Sequence, residues 1–99
     1  MVKHIVMWSF KEEVSEQERT LASARIKEGL EGLVGVVPGL KSACVVTDPI
    51  SSSSHDLCLI TEFGTAEELK AYATNPDHVK VATFVRSVTC NRACMDFVE

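Results

Sequence analysis

Two strand–helix–strand units in tandem predict an α+β fold, a four-stranded antiparallel sheet that carries its helices on one face. Three observations predict it. Four segments alternate apolar and polar residues with the period of two that marks a half-buried strand. Two segments of helical periodicity each open on a capping-box pattern, Ser15 to Glu18 and Thr65 to Glu68. The segments follow in the order strand, helix, strand, strand, helix, strand. At 99 residues the chain fits one domain, 1–99, with a modest core and no room for a second.

The first strand spans residues 2 to 10, with Val2, His4, Val6, Trp8 and Phe10 on one face and Lys3, Ile5, Met7 and Ser9 on the other. Ser15-Glu16-Gln17-Glu18 then caps a long helix, along which Leu21, Ala22, Ile26, Leu30, Leu33, Val34 and Val37 recur at helical spacing. Gly35 and Pro38-Gly39 are expected to end it. Residues 40 to 47 read as the second strand, closed by Asp48-Pro49 and the serine run Ser51 to Ser54. The third strand is expected from His55 to Phe63, with His55, Leu57, Leu59, Thr61 and Phe63 sharing one face. A short helix follows through Leu69 and Tyr72, and Asn75 caps another whose first position is Pro76, where a missing N–H costs nothing. His78, Val81, Ala82 and Val85 form one stripe of that helix. Residues 89 to 98 return to alternation, with Ala93, Met95 and Phe97 together. This is the βαββαβ order called ferredoxin-like.

Composition narrows the function classes. Ten Lys and Arg against 14 Asp and Glu give a net charge of −4 with no dense basic cluster, so nucleic acid is not an expected partner. No apolar run is long enough to span a bilayer, and the N-terminus lacks the pattern of a secretion signal, so a cytoplasmic location is expected. The four cysteines fit a reducing compartment: Cys44 and Cys58 lie in apolar strands, where a buried thiol acts as a small hydrophobe. Cys90 and Cys94 are roughly 13 Å apart if extended, too far for one disulfide or one ion. No histidines share a chelating spacing, so neither metal nor cofactor is expected.

The chemistry-bearing residues are the tyrosine and the three histidines. Tyr72 and His78 flank the Asn75-Pro76 break, where a phenol and an imidazole can hold or deprotonate a small ligand. His4 and His55 stand at the starts of apolar strand faces, so all are expected to open onto one cavity between sheet and helices. Trp8, Val81 and Val85 supply its apolar wall. In this arrangement His78 is the candidate base, Tyr72 holds a carbonyl or enolate oxygen, and His4 or His55 are secondary donors. The plainer alternatives are structural: hydrogen-bonded strand histidines, a helix-start imidazole, and Arg86 as a partner of the helix C-terminus.

The sheet face opposite the helices would expose Ile5, Met7, Cys58 and Ile60, too much apolar surface for water. A second copy of the chain is the simplest cover. The opening Val2-Lys3-His4-Ile5-Val6, Trp8-Ser9-Phe10-Lys11, Val37-Pro38-Gly39, His55-Asp56-Leu57 and Asn75-Pro76-Asp77-His78-Val79 through Arg86 together resemble the stress-responsive dimeric α+β barrel (Dabb) family over the whole chain. The resemblance implies a homodimer whose two sheets close into a barrel. It also implies correspondence of His78, Tyr72, His4 and His55 with the pocket residues of plant polyketide cyclases of that family. Three functions stay open: acid–base catalysis on a small carbonyl compound, noncatalytic binding of a small organic ligand, and cyclase-like or cofactor-free oxygenase chemistry.

Overall fold

The computed structural model describes residues 1–99 and contains β1 (Val2–Phe10), α1 (Glu16–Glu31), β2 (Leu40–Val46), β3 (Leu57–Phe63), α2 (Ala66–Thr74), α3 (Pro76–Val88) and β4 (Thr89–Val98). The strands form one antiparallel sheet in the order β2-β3-β1-β4, the ferredoxin-like arrangement. No helix is long and apolar enough to cross a membrane.

Local sequence explains most boundaries. The Ser15 hydroxyl accepts from the Glu18 amide at 3.2 Å, and the Glu18 carboxylate accepts from the Ser15 amide at 3.1 Å, a complete capping box. At α2 the box is only half formed. The Thr65 hydroxyl accepts from the Glu68 amide at 3.1 Å, but the Glu68 carboxylate accepts from that hydroxyl rather than from the Thr65 backbone.

Helix α1 stops earlier than expected. It ends at Glu31, with Gly32 as its cap, and residues 32 to 38 form turns rather than a further helical turn. Gly29 and Gly32 lower the helical preference of this end, and Gly35 adopts φ +87, open to glycine without strain. Leu33 and Val37 still reach the core from the turn, whereas Leu21 is 72% exposed.

Strand β3 starts at Leu57, two residues after the expected His55. The Asp56 carboxylate takes the Phe10 amide at 2.8 Å and its own amide donates to the Trp8 carbonyl at 2.9 Å, which closes the ladder there. His55 is left outside the strand.

The core lies between sheet and helices: Val6, Ile26, Val45, Leu57, Leu59, Phe63 and Tyr72 are all at most 2% exposed. On β1 the inward face is Val2, His4, Val6, Trp8 and Phe10, as the alternation requires. The opposite face carries Ile5, Met7, Cys58 and Ile60 in register with one another, joined by Cys44 and by Ala93, Met95 and Phe97 of β4. Met95 is 66% exposed there. All four cysteines are free thiols. Cys44 is exposed and Cys58 half-buried rather than enclosed, because strand parity puts both on this uncovered face.

Candidate functional site

Asn75 makes the site. Its backbone is extended, at φ −63 and ψ 129, so it ends α2, while its side chain accepts from the Asp77 amide at 2.9 Å and starts α3. Pro76 stands at the first helical position, where its fixed φ suits the new helix. The chain turns sharply, and Tyr72 from the end of α2 meets His78 from the start of α3 with ring centroids 4.0 Å apart. Phe63 on β3 supports the tyrosine edge-on at 5.0 Å, and the His4 ring lies 6.2 Å from it. Burial of the aromatic cluster and its edge-to-face geometry hold these rings in place.

The rings open onto a cavity of about 150 Å³ between the sheet and the helices. His4, Trp8, Tyr72, His78 and Val85 line it, as expected, with Leu30, Leu59 and Leu69 completing an apolar wall. Arg86 of α3 and Arg92 of β4 also line it, and neither forms an ion pair within the protein. Arg92 was legible in principle: it shares the parity of Cys94 and Asp96, opposite to Ala93, Met95 and Phe97.

Two expected members are elsewhere. His55 is half-buried and ties the β2–β3 loop to strand β4, with Nε2 at 3.1 Å from the Asn91 carbonyl and Nδ1 at 2.9 Å from the Ser54 hydroxyl. A carbonyl only accepts, so Nε2 carries the proton and Nδ1 of the neutral ring accepts from Ser54. It pins the β2–β3 loop to the left-handed Asn91 (φ 53), next to the register shift between β1 and β4. Val81 packs instead at the crossing of α1 and α3, where a Cβ on Gly29 would meet its Cγ1 at 3.0 Å. That close approach takes Val81 out of the cavity wall.

Burial sets the chemistry of the central pair. It pushes the Tyr72 phenol up to about 12, so the hydroxyl stays protonated and can donate. Burial also lowers His78 from its ordinary 6.5, opposed by the nearby Ala73 backbone and reinforced by His4 and the Arg86 charge. The imidazole is therefore neutral at physiological pH and able to accept a proton. Neither the Tyr72 hydroxyl nor His78 Nδ1, both buried, has a hydrogen-bond partner within the protein. His4, by contrast, is oriented by a hydrogen bond from Nδ1 to the Asp96 carboxylate of the neighbouring strand.

In a pH titration followed by NMR, the His78 ring is expected to titrate below 6.5. Replacing Arg86 by glutamine is expected to raise that midpoint; a midpoint at or above the ordinary value would contradict the burial argument. The sign for stability follows. The unfolded chain takes up the proton first as pH falls, so the contribution of His78 is present above its unfolded value and is lost as pH drops through it toward the native one.

The family model described as the stress responsive A/B barrel domain matches residues 2–99. Among solved structures, the chain is similar to a dimeric protein of unknown function with a ferredoxin-like fold from Bacteroides fragilis, at 26% identity over 99% of this chain and 95% of that one, with a TM-score of 0.92. A dimeric ferredoxin-like protein of unknown function from Thermobifida fusca shares 17% identity over 99% and 90% of the two chains, with a TM-score of 0.82. Hydroxynitrile lyase from Passiflora edulis shares 14% identity over 99% and 92%, with a TM-score of 0.75, a likeness of fold alone. No curated protein matches the chain. The family match across nearly every residue, on a βαββαβ sheet with one face left uncovered, places this chain in the stress-responsive A/B barrel domain family.

Proposed function

We propose that the protein is a homodimer whose cavity binds a small, largely apolar carbonyl compound and transfers a proton at the carbon beside the carbonyl. His78 is the base and Tyr72 the donor to the carbonyl oxygen. The observation that carries this reading is the pair of buried polar atoms, Tyr72 Oη and His78 Nδ1, left without protein partners on residues that line one apolar cavity. An unmet buried polar group costs about 1–3 kcal/mol, so a ligand that satisfies both is favoured over a purely apolar one.

In the proposed step a substrate C–H bond breaks, its proton passes to neutral His78, and the electron pair moves onto the carbonyl oxygen as an enolate. The Tyr72 hydroxyl, held protonated by burial, donates to that oxygen. Reprotonation at carbon or oxygen returns the imidazole to its neutral form. Size limits the substrate. A cavity of about 150 Å³ is comparable with engineered cavities that admit benzene, roughly 150 Å³, and lies below the range of about 300–1,000 Å³ that suits drug-sized ligands. A ring of about six heavy atoms fits, and an extended polyketide does not. The partner chain follows from the uncovered sheet face and agrees with the dimeric relatives. The free thiols agree with a reducing, cytoplasmic setting.

The test is hydrogen exchange in D₂O. Cyclopentanone and other small ketones of about six heavy atoms are incubated with the protein, and loss of the proton signal beside the carbonyl is followed by NMR. The wild type is expected to accelerate exchange over free imidazole, and His78→Ala is expected to lose about 10²- to 10⁴-fold of that acceleration. Tyr72→Phe should slow exchange while leaving the His78 midpoint below its ordinary value. Ligand binding without exchange in the wild type would make the protein a carrier and remove the catalytic assignment.

A further inference from the structure

At the edge of the cavity, where β1 and β4 lie side by side, three groups capable of ligating a metal converge. His4 and Asp96 are direct cross-strand partners, and Cys94 stands opposite Val6, two residues from Asp96 on the same strand. Alternation along both strands therefore sends all three side chains to the helix-side face. His4 Nδ1, Cys94 Sγ and Asp96 Oδ1 lie within 4.8 Å of one another.

The separations fit an ion. With a Zn–S distance of about 2.3 Å and Zn–N or Zn–O distances of about 2.0–2.1 Å, a tetrahedral site puts the sulfur roughly 3.5 Å from each of the other donors. Here Cys94 Sγ is 3.7 Å from His4 Nδ1 and 3.6 Å from Asp96 Oδ1. The third pair, His4 Nδ1 and Asp96 Oδ1, is in hydrogen-bond contact and has to open. Asp96 has the freedom to do so, since its side chain is 47% exposed. Two donors alternating on one strand with a third directly across the ladder form a pyramid base that a rigid sheet holds without any loop having to order.

We propose that His4, Cys94 and Asp96 form a three-ligand site for a borderline divalent ion, Zn²⁺ by donor type, with the fourth position open. One sulfur, one nitrogen and one oxygen select zinc or cobalt over magnesium and calcium, which take oxygen ligands. The protons balance. The ion displaces one proton from the Cys94 thiol into solvent, and the proton on His4 Nδ1 gives way to the ion while the neutral ring carries its proton on Nε2. Thiolate and carboxylate together offset the two positive charges. Arg92, two residues before Cys94 on the same face, is the cation that opposes the site.

The full-length protein, reduced and stripped with a chelator, is titrated with Co²⁺ alone and then with Zn²⁺. One cobalt per chain is expected, with a thiolate-to-metal charge-transfer band in the near ultraviolet that Zn²⁺ abolishes and excess Mg²⁺ does not. Loss of an outer-shell partner typically costs about 10- to 100-fold in metal affinity, so Cys94→Ser and Asp96→Asn are each expected to weaken Zn²⁺ binding by at least about 100-fold. Both residues are exposed, and unchanged circular dichroism shows the fold retained. Cys90→Ser, a thiol outside the cluster, should bind as the wild type does. Absence of a saturable cobalt band, or a band that survives Cys94→Ser, overturns the site.

Discussion

Replacing Phe63 by alanine is expected to destabilise the native protein by about 3–5 kcal/mol, the usual cost of truncating a fully buried aromatic. Phe63 is 0% exposed. It stands on β3, opposite Val2 in one neighbouring strand and Leu40 in the other, so the backbone around it is held by a ladder on both sides. The effect reaches the site, because Phe63 is the ring against which Tyr72 packs edge-on, at 5.0 Å, and His4 at 6.4 Å. Loss of that wall releases the phenol from its fixed direction toward the cavity. Denaturant unfolding measures the change, and an unfolding free energy within about 1 kcal/mol of the wild type would show that the cluster is not part of the core. Since small domains have only about 5–15 kcal/mol in total, Phe63→Leu serves as a milder variant. It should keep the fold, with a smaller loss of stability and weaker ligand binding.

Ile60→Glu is expected to convert the proposed dimer to a monomer while leaving the protomer folded. Ile60 lies on β3 on the face away from the helices, directly across from Ile5 on one side and Cys44 on the other. Within one protomer a carboxylate there stays in water and costs little. In a dimer closed over this face it is buried without a partner, at several kcal/mol for each ion, and two-fold symmetry places two such charges in one interface. A total of only about 4 kcal/mol already raises the dissociation constant by about 10³. Light scattering at micromolar concentration should return twice the chain mass for the wild type and the single-chain mass for the variant. A monomeric wild type would refute the dimer, and a dimeric Ile60→Glu would move the interface to another face.

The candidate site was only partly legible because its members differ in how local their placement is. Tyr72 and His78 are six residues apart, and the break between them is written in Asn75 and Pro76, whose cap and ring geometry act within one turn. That pairing needs no tertiary information. His4 also followed from alternation alone, since Val2 to Phe10 bury every second residue. His55 failed for a local reason that a pattern cannot register: the Asp56 carboxylate bonds the Phe10 amide and ends the ladder before the alternation reaches the histidine. Val81 failed for a tertiary one. Its helical stripe is correct, but Gly29 lets α1 approach α3 closely enough to take that side chain.

By itself the sequence determined the βαββαβ order, the inward faces of β1 and β3, the helix break at Asn75 and the apolar character of the face left uncovered. Periodicity, capping and the constraints of proline act over a few residues, and a one-residue slip in a strand would turn its whole apolar set outward. Only the tertiary structure decided which residues far apart in the chain share a cavity, and that His4, Cys94 and Asp96 come together. His4 and Asp96 are separated by 92 positions, and what joins them is the β1–β4 register, shifted between Met7 and Ser9 near the left-handed Asn91. Register is settled by packing and hydrogen bonding summed over the whole sheet, and no local spacing in the chain encodes it.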